Sequence, residues 1–244
     1  MSIEQVDVDI LAELKAFSDQ NLIDIYLPSQ KKSVKFRKLN VKQQKSLILV
    51  ALDDVKSLLN FNITLYDIIY ENLVDDKNLE LNIYDRNSIV FNLIKHDAPA
   101  DKIDLYSEIV ERYNKLTTSI EDKVVDNSVI QITLGVPTLE RDYIYNKKLL
   151  TKYNSTVENT KEFIDNTYLL EIAKYIKKIE INKGGKQKIS KILHEEKLDS
   201  IFKIVDSLPS VNQIIGYMSK IKQLEKQFNT VKDVTVDISP SLFI

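Results

Sequence analysis

Residues 34–54 read V-K-F-R-K-L-N-V-K-Q-Q-K-S-L-I-L-V-A-L-D-D, and the spacing of the apolar residues changes part-way through. Val34 and Phe36 alternate with Lys35 and Arg37, the period-2 pattern of a half-buried strand. Asn40 stops that pattern and can cap a helix, with Gln43 three residues on as its reciprocal partner in a capping box. Beyond Lys42, the residues Leu47, Val50, Ala51, Val55 and Leu58 share one helical face, flanked by Ile48, Leu52 and Leu59. A strand, a turn and a helix over 42–59 are therefore predicted, the nucleus of an α+β core.

Upstream, Ile23, Ile25 and Leu27 alternate with Asp24 and Tyr26, which predicts a strand over 22–27. Pro28-Ser29-Gln30-Lys31-Lys32 turns it back into 33–39, making a hairpin. A lone hairpin is marginal in water, so the following helix has to cover it. Residues 1–20 read as a short helix or arm.

Downstream, helices are predicted over 64–73 and 87–96, the latter ended by Asp97-Ala98-Pro99-Ala100. Ile103 and Leu105 alternate like a strand, and Ile109, Val110, Tyr113 and Leu116 then follow helical spacing. A strand over 128–134 is closed by Gly135-Val136-Pro137. After Pro137 the composition turns helical, which suggests an α+β domain over 21–138 and a mainly helical one over 139–244. The second carries helices over 140–153, 161–181 (stopped by Gly184-Gly185) and 188–208. A further helix over 211–228, capped by Ser210 with Gln213, leads to a last strand over 231–238 and an apolar tail.

Composition narrows the function. The chain has 244 residues, 43% hydrophobic and 29% charged, which is globular rather than disordered. Its 34 basic against 36 acidic residues, a net charge of −2, argue against an electrostatic nucleic-acid binder. The absence of cysteine excludes disulfides, thiolate zinc sites and a thiol nucleophile. Residues 1–9 lack the basic and apolar regions of a signal peptide, and no apolar run approaches the roughly 20 residues of a membrane span. A cytoplasmic location is the default expectation.

No catalytic signature emerges. His194 beside Glu195-Glu196 lacks the i, i+4 histidine pair of a zinc helix and reads as a solvated helix-end residue. His96 lies about a hundred residues away from it in sequence, as the numbering shows. Asp53-Asp54, Asp75-Asp76 and Glu195-Glu196 are adjacent pairs, which point apart on a helix and cannot focus on one atom. Gly184-Gly185-Lys186 lacks the upstream glycine, strand and hydroxyl of a phosphate loop. The pairs Lys31-Lys32, Lys147-Lys148 and Lys177-Lys178 are interspersed with acids and form no stripe. Twelve tyrosines, among them Tyr26, Tyr66, Tyr70, Tyr84, Tyr143 and Tyr145 near predicted element ends, suit either interfaces or the core. Leu242, Phe243 and Ile244 are apolar and need burial, on their own domain or in another subunit.

Four landmarks stand in order. Lys35-Phe36-Arg37-Lys38-Leu39 runs into Val41-Lys42-Gln43-Gln44-Lys45-Ser46-Leu47-Ile48. Tyr84-Asp85 precedes the apolar run 89–94, Val136-Pro137-Thr138-Leu139 follows, and Leu198-Asp199-Ser200-Ile201-Phe202-Lys203-Ile204 leads to Leu208-Pro209. As a set covering most of 22–244, they resemble the baseplate hub and assembly protein family of T-even-type contractile-tailed bacteriophages. Lys38 stands where that family has proline, and Gln43-Gln44 where it has an acidic pair. Without cysteines, a metal-stabilised C-terminal hairpin is out of reach.

The resemblance implies a non-enzymatic component, or a departing chaperone, of the central hub, built in the infected bacterial cytoplasm. It implies no cofactor, metal, small-molecule substrate, nucleic acid or membrane. Its expected partners are other hub proteins, with the tape-measure protein as a further candidate, in an oligomeric assembly. The contact candidates are Phe36 and Arg37 on the hairpin, Lys42 and Lys45 on the helix, and Leu242, Phe243 and Ile244. A soluble enzyme with a noncontiguous site is the competing reading, which a dense cluster of ionisable groups in one deep pocket would favour.

Overall fold

A computed structural model describes residues 10, 12–13, 21–50, 57–76, 78–116, 121–126, 129–153, 160–183, 187–209 and 211–243. Most of the expected arm over 1–20, the pair Asp53-Asp54, the cap Ser210 and Ile244 lie outside these residues.

Strands β1 (Leu22–Leu27) and β2 (Lys32–Arg37) form the expected antiparallel hairpin, with Ile23 opposite Phe36 and Ile25 opposite Val34. Ile25, Leu27, Val34 and Phe36 are buried, so the alternation read from the sequence is the inward face. The outer edge of β2 is partly paired as well: the Val74 N–H donates to Lys35 O at 3.0 Å, and Phe36 bridges Leu73.

Helix α1 (Val41–Leu49) starts at the expected capping box. Asn40 Oδ1 accepts from the Gln43 N–H at 2.9 Å, and Gln43 Oε1 accepts from the Asn40 N–H at 3.1 Å. The Gln43 amide is also buried against helix α2 (Ser57–Asn72), exchanging hydrogen bonds of 3.1 Å with Asn72 in both directions. Asn40→Ala is expected to lower stability by about 1 kcal/mol and the melting midpoint by about 2–4 °C. Thermal circular dichroism measures this; an unchanged midpoint would mean that the cap does not hold α1. Ser57, Leu58 and Leu59, expected at the end of the first helix, belong to the first turn of α2.

Helix α3 (Ile83–Lys95) lies under the hairpin. The buried Asp85 carboxylate accepts from the Asn82 N–H at 2.9 Å, from the Ser29 N–H at 2.9 Å and from Ser29 Oγ at 2.5 Å. Ser88 Oγ donates to Tyr26 O at 2.7 Å. The N-terminus of α3 thus holds the tip of the hairpin. Burial raises the Asp85 carboxyl above its ordinary range, and these hydrogen bonds act against that.

Several expectations fail downstream. Ile103 and Leu105 sit in helix α4 (Ala100–Asn114), not in a strand. Pro99 stands at its N-cap without a side-chain cap, and Tyr106, Ile109, Val110 and Tyr113 make its buried face, with Ile103 left outside. The helix expected over 161–181 is divided: α6 (Thr160–Ala173) ends, and Ile176–Lys183 becomes strand β5. The segment 188–208 is likewise strand β6 (Gln187–Lys191), a 3-10 turn Leu193–Glu195 and helix α7 (Leu198–Asp206). Gly184 and Gly185 lie outside the described residues, between these two paired strands rather than after a helix.

With β3 (Lys123–Asp126) and β4 (Ile130–Leu134), these strands form an antiparallel sheet in the order β3-β4-β5-β6. Val125, Ile132, Leu134, Ile176 and Ile179 are its buried apolar side chains. A register shift between Thr133 and Leu134 lets Ile176 and Ile179, three apart, both turn inward. The sheet spans the position expected as a domain boundary, since β4 precedes Pro137 and β5 follows it. Asn82 also bridges Thr138, and the Leu139 N–H donates to Leu81 O at 2.8 Å.

Helix α5 (Leu139–Lys152) follows, and α8 (Val211–Phe228) turns Ile214, Tyr217, Met218 and Ile221 inward. The expected strand over 231–238 is instead a tight hairpin of β7 (Thr230–Val231) and β8 (Val234–Thr235). Lys232 and Asp233, at φ 46° and 66°, supply the two left-handed positions of its turn. The last described segment is a 3-10 turn, Pro240–Phe243. The fold is α+β.

Candidate functional site

The contact residues expected from the sequence separate into two groups. Phe36 has 0% exposure and belongs to the core, so it offers no area to a partner. Leu242 and Phe243 are half-buried on their own chain, with the Phe243 ring centroid 6.1 Å from that of Phe61. They edge a cavity of about 230 Å³ together with Leu39, Ile94 and Tyr106. Arg37 is half-buried and donates to Glu71 O at 3.4 Å.

Lys42 and Lys45 do stand on the surface of α1. Beside them Val41 is 80% exposed and Leu49 51% exposed. Val41, Lys45 and Leu49 are four residues apart, which puts all three on one helical face. Gln43 and Leu47 are buried on the inner side.

The densest group of ionisable side chains lies where α2, α3, α5, α6 and α8 meet, around a cavity of about 120 Å³ lined by Asn62, Arg86, Asp142, Glu171, Lys222 and Glu225. Lys174, one residue past α6, also lines it and is largely buried. Its ammonium lies 2.5 Å from Asp142 and also pairs with Glu171. Lys222 approaches Glu171 at 3.4 Å, and Arg86 holds Glu225 at 3.0 Å. Glu225 accepts a second bond from Asn87 at 2.8 Å; Asn87 in turn reaches Tyr113, whose hydroxyl meets Asn229 at 2.7 Å.

Electrostatics in this cavity are one-sided. Burial pushes Glu171 upward, but the Lys174 and Lys222 ammonium groups outweigh it and hold the carboxyl down to about 2. Burial works against the charge of Lys174, while Asp142 and Glu171 more than offset it and raise its affinity for the proton. Neither group is set to exchange a proton near neutral pH. The cavity is also smaller than the roughly 300 Å³ of the smallest usual ligand pockets. The arrangement joins four helices, α3, α5, α6 and α8, through ion pairs. No local pattern in the sequence marks these residues, because the pairs join positions as far apart as Arg86 and Glu225.

Arg141 is buried and donates to neutral oxygens: Thr138 Oγ1 at 3.3 Å, Lys174 O at 3.0 Å and Val136 O at 3.0 Å. It clamps the chain leaving β4 to the end of α6. His194 sits in the 3-10 turn and not at a helix end, with Nδ1 buried and lacking a hydrogen-bond partner among the described residues. Burial and then Arg141 lower its pKa. His96 caps the C-terminus of α3, and its pKa is lowered by burial and then by Lys38. Among the described residues no group of three or more His, Asp or Glu gathers as metal ligands do. The tyrosines divide: Tyr84 and Tyr145 are core, whereas Tyr66 is half-exposed and stacks on Tyr143 at 4.1 Å.

Comparison with protein-family models, curated proteins and solved structures finds no match to this chain. Function is argued, then, from the surfaces and clusters described above. Among the described residues no helix is long and apolar enough to cross a membrane.

Proposed function

We propose that the protein is a non-enzymatic structural component or assembly factor of the central hub of a phage tail baseplate, working through protein–protein contacts. The order of landmarks over residues 22–244 supports the assignment to the hub. The observation that carries the contact reading is the outer face of α1, where Val41 and Leu49 are 80% and 51% exposed on either side of Lys45. Single exposed apolar residues are common on surfaces, but two on one face of a short helix, with the stem of Lys45 between them, form a mixed apolar and charged strip that a partner can cover. The enzyme alternative would reside in the cavity around Lys174, whose small volume and saturated ion pairs weigh against it.

On this reading the partners are other hub proteins of the same phage, met in the host bacterial cytoplasm. Co-expression with those proteins, followed by pull-down and sizing, tests it. The wild-type chain is expected to co-purify with at least one of them; capture of none would overturn the proposal. Val41→Asp combined with Leu49→Asp is expected to weaken that capture at least about tenfold, since hot-spot substitutions cost about 2 kcal/mol or more. The melting midpoint should stay unchanged, because both side chains are exposed. Blotting of mature particles then separates a retained component from a chaperone that leaves.

A further inference from the structure

The structure brings together lysines that the sequence scatters. Lys147, Lys148 and Lys152 of α5 line one open groove of about 550 Å³ with Lys197, which precedes α7. Thr151, Leu198 and Asp199 complete the lining. We propose that this groove takes a short acidic segment of a partner protein. The inference rests on the assembly reading above and assigns a chemistry to one of its contacts.

Charge complementarity favours an acidic occupant. Lys152 is the neutralised member, at 3.3 Å from Glu162 and 3.4 Å from Asp199. Lys148 gives its ammonium hydrogens to two carbonyls, His194 O at 2.7 Å and Glu196 O at 2.6 Å. The Glu196 carboxylate itself turns away to Lys191 at 2.5 Å. Lys147 lies over the Tyr143 ring at 4.5 Å, and neither it nor Lys197 forms an ion pair with any described residue. Three ammonium charges therefore face the groove without a carboxylate from any described residue, on a chain whose net charge is −2. Such a local field attracts an anion that the rest of the surface does not.

The lining also selects the kind of anion. Lysine ammoniums are hydrated point charges, not the planar forks that grip a phosphate in two places. Leu198 and the aliphatic lysine stems make part of the floor apolar, which suits a peptide carrying apolar side chains between its carboxylates. Glu162 and Asp199 bound the patch, and they would repel a polyanion that runs on past it, as a nucleic acid would.

Fluorescence anisotropy with a labelled eight-residue peptide of alternating glutamate and leucine tests the groove on the full chain. Micromolar-range binding that weakens as salt rises is expected, together with a loss of about tenfold or more in the charge-reversed pair Lys147→Glu and Lys197→Glu. Tripolyphosphate and a single-stranded oligonucleotide of matched charge serve as competitors and should displace the peptide poorly. Absence of binding, equal binding by the reversed pair, or equal affinity for either competitor would overturn the proposal. Circular dichroism of the variant confirms that its fold is kept, which is expected because both lysines are exposed. A chain that captures hub proteins but not the peptide sinks the groove alone, and the converse result sinks only the hub assignment.

Discussion

Phe36→Ala is expected to destabilise the protein by about 3–5 kcal/mol, a large part of the roughly 5–15 kcal/mol available to a domain. The ring has 0% exposure and stands among Ile25, Leu27 and Val34, so its removal leaves a cavity in the face that the hairpin turns to the core. Urea unfolding of the variant measures the loss. A change below about 1 kcal/mol would mean that the hairpin is not seated as described. Loss of partner capture in this variant would be a consequence of unfolding, whereas the α1 variants test contact with the fold intact.

Lys174→Met should be almost as costly, about 3 kcal/mol at pH 7, toward the lower end for breaking a buried ion pair because Glu171 keeps Lys222 and is about a third exposed. The pH dependence gives this prediction its sign. The Glu171 carboxyl is held below its ordinary value, down to about 2. Its stabilising contribution is therefore complete above the ordinary value of 4.5 and is lost as pH falls from there toward 2. The wild type should lose its advantage over Lys174→Met across that window. Urea midpoints of both proteins at pH 7 and pH 3 check it: a gap that stays constant would mean that the lysine does not act through the carboxylates.

Both predictions concern residues that local pattern reads differently. Phe36 looks like an inward strand residue by its alternation with Lys35 and Arg37, and it is one; the step from there to a contact surface had no support in the period. Lys42 and Lys45 were legible as outward-facing because helical spacing alone places them opposite Leu47. The interactions of Lys174 were not legible, since Asp142 lies 32 positions before it by number and becomes its neighbour only when α5 and α6 pack together. Lys147 and Lys197 are a similar case across a longer separation.

Features that depend on neighbours along the chain are legible in the residues alone. The β1–β2 hairpin, the Asn40–Gln43 cap, the helices that became α3, α5 and α8, and the strand before Gly135 all follow from side-chain period and capping chemistry over a few residues. Only the tertiary structure decided that 176–183 and 187–191 are strands, because their ladder hydrogen bonds are made with β4, more than 40 residues away, and with each other. It also decided which charges meet. Coulomb attraction depends on distance in space, and distances between far-separated residues exist only after the core has closed.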